Sequence, residues 1–330
     1  MKGVILAAGK GSRLFPVTHH IPKPILPLAN RMTIEYAFDR LKEIGISEVC
    51  VVVGESEPRM REALGDGSSF GISLAYVRQT EPKGLAHAVG FAKDFVAGDS
   101  FALYLGDAIY SDGFETYARH FTESGCANLN IVKPVEDPSR FGVANVEGWE
   151  LPLSPMNGGE RGLGGEGEPF VGPIQKLVEK PTNPESNLAM AGLYFFGPEI
   201  WSVLPDLEPS PRGEFEITDA IQLLIDRGEN VLAGVYEGTW FDTGTLDSFL
   251  ATSSFLVGGG QLIDPASQVR GAIGESVVVG QGAILECLCI EDSVILPGAE
   301  IRSTGAIKHS LLGGRVSSDE LEGVIEFGLS

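Results

Sequence analysis

Apolar residues in the first half of the chain occur in two alternating patterns. Unbroken runs at 3–8, 49–53 and 101–105 have the length and content of strands covered on both faces. Between them Ile34, Ala37, Phe38, Leu41 and Ile44 recur at helical spacing, with Thr33 placed to cap the start and Gly45 to stop the end. Residues 72–77 read as a further strand and 84–95 as a helix. This alternation predicts βαβ units: an α/β fold with a doubly wound, mainly parallel (mixed) sheet and helices on both faces.

The pattern then changes twice. Residues 127–146 read as strand, turn, strand, but 148–172 are rich in Gly and Pro and lack a period. That stretch is expected to be an inserted loop, either a lid over a ligand or a contact with a neighbouring subunit. Strands resume at 174–179 and 189–196, a helix at 214–226, a strand at 231–236, and a last helix runs to about 255. Gly258-Gly259-Gly260 marks a boundary. Beyond it apolar triplets such as Val278-Val279-Gly280 and Val294-Ile295-Leu296 return at roughly hexapeptide spacing. Such spacing predicts a short, left-handed β-helix-like domain of about two to three coils. Residues 319–330 are expected to be loose or to cap it. The domains are therefore read as 1–257 and 258–330, with an insertion at 148–172.

Charge narrows the function. The 330 residues carry a formal charge of −21, which excludes a broad basic surface for nucleic acid or anionic membrane. The four cysteines, at 50, 126, 287 and 289, are too few for a disulfide framework. No apolar stretch reaches membrane-spanning length. A reducing cytoplasm is the expected location.

Against this acidic background, cations gather after the first strand. Gly9-Lys10-Gly11-Ser12-Arg13-Leu14 forms a Gly-rich turn, and Pro22-Lys23-Pro24 closes the loop that follows. Small residues there let backbone N–H groups approach a phosphate. The spacing is wrong for a Walker A loop, and Leu14 stands where a dinucleotide fingerprint needs its third glycine. A polyphosphate site of another kind is expected.

The motif string continues in order: Gly84-Leu85-Ala86-His87-Ala88, Leu105-Gly106-Asp107, Phe141-Gly142-Val143, Val178-Glu179-Lys180-Pro181, Gly192-Leu193-Tyr194-Phe195, Arg212 to Asp219, and Trp240-Phe241-Asp242-Thr243-Gly244. Together these resemble the sugar-1-phosphate nucleotidyltransferases, most of all the long-form glucose-1-phosphate thymidylyltransferases. The resemblance implies Mg²⁺-dependent transfer of a nucleoside monophosphate from a nucleoside triphosphate to glucose 1-phosphate, releasing pyrophosphate. It assigns Arg13 to the triphosphate, Lys23 to the α-phosphate and Lys180 to the sugar phosphate. Asp107 and Asp242 would be the metal ligands. Ala8, Gly9, Gly11, Gln79, Gly84 and Gly106 would bind nucleotide, with Gln79 reading the base by its amide and Gly84 by its backbone, and Gly142, Glu179, Lys180 and Trp240 would bind the sugar phosphate.

The resemblance leaves the base open. Ala8 replaces a frequent second glycine and Ala108 a frequent asparagine, and Pro24 follows Lys23 where thymidylyl enzymes often carry glutamine. Thymidylyl transfer from dTTP stands first, uridylyl transfer from UTP second, and guanylyl transfer to mannose 1-phosphate third. A catalytically silent paralogue that senses nucleotide sugars is the alternative of a different class. The expected partners are a nucleoside triphosphate and a sugar 1-phosphate, with no nucleic-acid polymer and no membrane, in a homo-oligomer. No general base is needed, because a phosphate monoester is already an anionic nucleophile. His87, His19 and His20 are accordingly given no chemical role. The tail, which lacks a convergent charged cluster, is expected to be dispensable for chemistry.

Overall fold

The computed structural model describes residues 1–149 and 168–328. The core of the insertion expected at 148–172 thus lies outside the described residues. The chain gathers into two compact units. One comprises Met1–Ala8, Phe38–Leu105 and Tyr110–Trp240; the other comprises Gly9–Ala37, Gly106–Ile109 and Phe241–Ser330. The sequence divides the chain linearly at 257/258, whereas contacts place the Gly-rich loop and Asp107 in the same unit as the tail.

The first unit is built on a nine-stranded sheet. Its strands are β1 (Lys2–Ala7), β2 (Glu48–Val53), β3 (Ser73–Arg78), β4 (Phe101–Leu105), β5 (Asn128–Pro134), β6 (Gly142–Val146), β7 (Val171–Glu179), β8 (Leu188–Phe196) and β9 (Val231–Val235). Their order is β3-β2-β1-β4-β8-β5-β9-β7-β6. The first four strands run parallel; β8 pairs antiparallel with β4 and β5, and β7 antiparallel with β9 and β6. The sheet is therefore mixed. β1 and β2 are buried from their second residue onward, which is why their sequences are unbroken apolar runs.

Helix Ile217–Asp226 places Ile217, Ala220, Ile221 and Leu224 in the same core as Val4, Val52 and Tyr194. It starts later than expected because Phe215 is engaged elsewhere: its N–H donates to the Lys83 carbonyl and its carbonyl accepts from Ala86. The single helix expected at 84–95 is two, Leu85–Gly90 and Lys93–Val96. Helices Glu57–Leu64 and Glu115–Ser124 were not legible, since the first buries only Met60 and Leu64. β7 begins at Val171, so the end of the expected insertion is strand, and Trp149 packs edge-on against Phe170 at 5.7 Å.

The second unit contains an eight-stranded parallel sheet. Its strands are β10 (Gln261–Ile263), β11 (Gln268–Ile273), β12 (Val277–Val279), β13 (Ile284–Ile295), β14 (Glu300–Ser303), β15 (Ala306–Ser318), β16 (Leu321–Glu322) and β17 (Ile325–Gly328). Three columns of partners run through it. Gln261 pairs with Val277, Val277 with Ser293, and Ser293 with Ser310; Leu311 carries the column on to Ile325. Gln268, Ile284, Glu300 and Arg315 form the second column, and Ile273, Ile290, Ile307 and Leu321 the third. Three parallel-stacked sides make a three-sided β-helix.

The helix has more coils than the two to three expected, because β10, β12, β13, β15 and β17 all stack on one side. Residues 319–330 are not loose as far as they are described, since β16 and β17 form the last rung. The interior is filled by Val277, Leu285, Ile290, Ile301, Ile307 and Leu312. Arg270, Glu286 and Arg302 ladder along the second side, at 3.3 and 3.7 Å, so polar outward residues obscure the repeat in sequence.

The outer face of the first side is apolar. Val278, Val294, Leu296 and Leu311 pack against Leu14, Val17, Leu26 and Leu28 from the Gly-rich loop and against Phe249 and Leu250 of helix Leu246–Leu256. His20 stacks on Phe327 at 4.3 Å, and Asn30 donates to the Val279 carbonyl at 3.2 Å. The β-helix is thus the floor on which the loop rests.

Candidate active site

The expected site residues fall into two groups. Gly9, Gly11, Arg13, Lys23, Gly106, Asp107 and Asp242 belong to the second unit, and Ala8, Gln79, Gly84, Gly142, Glu179, Lys180 and Trp240 to the first.

In the second unit the loop begins as β1 ends. Gly11 takes a left-handed φ of 64°, and its carbonyl accepts from the Thr18 hydroxyl at 2.8 Å. Lys23 follows in a short turn and is 8% exposed. Its Nζ lies 2.6 Å from Asp107 Oδ2. Thr243 clamps the segment beyond: its N–H and hydroxyl both donate to the Asp107 carbonyl, at 3.2 and 2.9 Å. A Cβ built on Gly244 would sit 2.5 Å from an Arg13 guanidinium nitrogen and 2.9 Å from Asp242 Oδ1. The Arg13 guanidinium and the Asp242 carboxylate therefore both approach Gly244. Thr245 and Ser248 then form a capping box that starts helix Leu246–Leu256. Gly9 has open space where its side chain would be, and Gly106 is buried behind the turn.

In the first unit Glu179 ends β7, paired with Gly142 across the ladder. Gly142 admits no side chain: a Cβ would lie 2.4 Å from Thr218 Cγ2 and 3.2 Å from Glu179 Oε2. Adjacent residues of a strand point to opposite faces, so Glu179 and Lys180 can meet only across a bend. The bend is in Lys180 itself, whose φ of 44° lets its Nζ fold back to 3.1 Å from Glu179 Oε1. Arg212 reaches the same oxygen at 3.4 Å, and the Thr218 hydroxyl donates to Oε2 at 3.0 Å. Glu216 and Asp219 are held above the usual carboxylate range, first by burial and then by the charge of Glu179. Trp240 packs edge-on against Phe141 at 5.3 Å, and its buried Nε1–H has no acceptor among the described residues.

Gln79 is buried, and its amide nitrogen donates to the Gly84 carbonyl at 3.3 Å and to His87 Nδ1 at 3.1 Å. Gly84 has φ 105°, and a Cβ there would lie 2.4 Å from the Phe215 carbonyl oxygen. Ala8 backs onto Gly54, whose Cβ would meet the Ala8 carbonyl at 2.9 Å.

Sequence reasoning gave no role to Thr218, Thr243, Arg212 or His87. All four stand inside quoted motifs, so spacing marked the segment without marking the residue. Among the described residues no group of three or more His, Cys, Asp or Glu could hold a metal ion, and no helix is long and apolar enough to cross a membrane.

Residues 2–258 match the nucleotidyl transferase family, and the chain belongs to it. The protein is thus a nucleotidyltransferase, and its likeness is to enzymes that act on sugar 1-phosphates. It is 38% identical to the low-salt glycan biosynthesis nucleotidyltransferase Agl11 of Haloferax volcanii, over 95% of this chain and 92% of the relative. It is 34% identical to the glucose-1-phosphate thymidylyltransferase of Streptomyces antibioticus, over 95% of this chain and 81% of the relative. A UDP-glucose pyrophosphorylase complexed with UDP-glucose superposes with a TM-score of 0.65 at 26% identity, covering 78% of this chain and 98% of that one.

Proposed function

We propose that the protein transfers a thymidylyl group from dTTP to glucose 1-phosphate with Mg²⁺, giving dTDP-glucose and pyrophosphate. The observation that carries this reading is the interleaving of two cations with two carboxylates: Lys23 on Asp107 at 2.6 Å, and Arg13 beside Asp242 across Gly244. The paired charges of Lys23 and Asp107 can be drawn apart by a polyphosphate and a divalent ion.

Asp107 and Asp242 are the residues that would hold Mg²⁺. Carboxylate oxygens are the donors this ion takes, it keeps several positions for phosphate and water, and Thr243 ties the two segments together. When bound, the ion supplies charge neutralisation at the phosphates. Released from Asp107, Lys23 meets the charge that builds on the α-phosphate, and Arg13 holds the phosphates that leave. Lys180 and Arg212 neutralise the phosphate of the sugar, and Glu179 accepts from its hydroxyls. The sugar phosphate oxygen attacks the α-phosphorus, a new P–O bond forms, and the bond to pyrophosphate breaks. Catalysis is positioning and electrostatics, with no proton transfer to a base.

The thymidylyl reading draws support from the 34% identical Streptomyces enzyme. Pro24 and the UDP-glucose pyrophosphorylase neighbour favour UTP as the second reading. We place the reaction in the cytoplasm, where nucleoside triphosphates are made and the four free cysteines stay reduced. Pyrophosphate release over a matrix of nucleoside triphosphates and sugar 1-phosphates, with Mg²⁺ or with chelator, tests the proposal. The largest kcat/KM is expected for dTTP with glucose 1-phosphate. A larger value for UTP would move the assignment to the second reading, and undiminished turnover in chelator would refute the metal role.

A further inference from the structure

The first unit holds a cavity of about 470 Å³ beside helix Leu85–Gly90, whose lining includes His87, Gly90, Lys93, Trp201, Leu207 and Phe215. None of the expected site residues lines it. Its size lies within the range of small-molecule sites, and its walls are ring faces and aliphatic carbons.

The polar groups in the walls are donors. Lys93 forms no ion pair with any described carboxylate, in a chain whose charge is −21. Asp206, between two lining residues, is turned to Arg227. The Gln79 amide nitrogen donates to the Gly84 carbonyl, which fixes the orientation of that amide, so His87 Nδ1 is an acceptor and the ring proton is on Nε2. Trp201 contributes ring surface to the wall; its Nε1–H is itself buried and has no acceptor among the described residues. A wall of rings and donors, with an unpaired ammonium and no carboxylate, is complementary to one kind of occupant: a flat aromatic molecule bearing an anionic group.

The cavity is also bonded to the nucleotide side of the molecule. His87 in its wall holds Gln79 at 3.1 Å, and Phe215 in its wall is stitched to both Lys83 and Ala86 around Gly84. We propose that this cavity is a second ligand site, taking a small aromatic anion, and that its occupancy alters nucleotide affinity through His87 and Gln79. The coupling rests on the reading that Gln79 and Gly84 meet the base; the binding site does not.

The test titrates 2-naphthoate, and its uncharged analogue 2-naphthylmethanol, into the full-length protein by calorimetry. Lys93→Met is expected to weaken naphthoate by about tenfold or more and leave the alcohol unchanged. Gly90 has nothing within 4 Å of its Cβ position and an ordinary helical φ, so Gly90→Leu fills the cavity without strain and is expected to abolish binding of both. Saturating naphthoate is expected to change the Kd of dTTP by about threefold or more, and dTTP to change that of naphthoate by the same factor. His87→Phe is expected to keep naphthoate binding and lose the coupling. Absence of naphthoate binding, or equal affinity in wild type, Lys93→Met and Gly90→Leu, would overturn the site. Binding that leaves dTTP affinity unmoved would overturn the coupling. Should Gln79→Ala leave dTTP affinity unchanged, the base reading fails by itself, and the naphthoate results still decide the site.

Discussion

Asp107 and Glu179 are both carboxylates at the ends of sheet segments, and they are held in opposite ways. Asp107 meets one cation, the nearly buried Lys23, at 2.6 Å, and is itself 37% exposed. Glu179 is shared among Lys180, Arg212 and Thr218 at 3.0 to 3.4 Å, with Glu216 and Asp219 pressing on it from nearby. The first arrangement is a single contact that can exchange partners when phosphate and metal arrive. The second is a network in which no partner leaves without disturbing the others. The difference suits the two substrates. A triphosphate brings charge that must be redistributed during reaction, whereas a sugar brings neutral hydroxyls that need fixed acceptors.

The largest effect should come from breaking the exchangeable side. Asp107→Asn or Asp242→Asn is expected to lower kcat by about a thousandfold or more, since metal-assisted charge neutralisation is worth several kcal/mol. Circular dichroism should show an intact fold, and a rate of pyrophosphate release near that of wild type would remove these residues from the metal site. Next is the floor beneath the loop. Ending the chain at residue 257 would expose Leu14, Val17, Leu26 and Leu28, so the Tm of what remains is expected to fall by more than about 5 °C and nucleotide affinity with it. This reverses the expectation from sequence that the tail is dispensable. A truncated protein with unchanged Tm and nucleotide binding would restore it.

Two glycines sharpen the contrast. Gly84→Ala meets the Phe215 carbonyl at 2.4 Å and Gly142→Ala meets Thr218 at the same distance. The first is expected to raise KM for the nucleotide about tenfold and the second KM for the sugar phosphate by a similar factor. Initial-rate kinetics with each substrate varied in turn will show whether the effects stay on their own side.

The smallest effect concerns the attachment of the tail. His309 of β15 donates from Nδ1 to Asp292 at 2.5 Å and from Nε2 to Asp247 at 2.8 Å. Two carboxylate acceptors require both nitrogens protonated, and these bonds, to Asp247 and then Asp292, raise its pKa above the usual 6.5. A raised folded value stabilises fully below the unfolded pKa and is lost as pH rises through the folded one. Between about pH 6 and pH 9 the Tm of wild type should therefore decline more than that of His309→Gln. The side chain is 39% exposed, so solvent screening keeps the difference small. Parallel Tm profiles for the two proteins would show that the contact adds nothing.

The sheet strands were legible because their apolar runs reflect burial on both faces, and the order of the motifs was legible because each of them contains a Gly or a Pro. The polar helices were not, since Glu57–Leu64 has only two buried residues to mark its face. The number of coils was underestimated because β14 and β15 present Arg302 and Arg315 outward and hide the inward repeat. The joining of the Gly-rich loop to the tail was invisible, since Leu14 and Val278 lie far apart in the chain and neither belongs to a motif. Lys180 shows the limit most clearly: its side chain reaches Glu179 through a φ of 44° that the proline after it does not encode.

The proposed reaction depends on one lysine serving the reacting phosphate and another the sugar phosphate. Steady-state kinetics of Lys23→Ala and Lys180→Ala, with nucleotide and sugar 1-phosphate each varied at saturation of the other, tests it most directly. For Lys23→Ala the expected result is a kcat lower by about a hundredfold with KM for the sugar phosphate little changed, because its contact matters most as charge develops. For Lys180→Ala it is a KM for the sugar phosphate raised by about tenfold or more with KM for the nucleotide unchanged. The reverse pattern, with Lys23→Ala acting on sugar-phosphate KM and Lys180→Ala on nucleotide KM, would contradict the assignment.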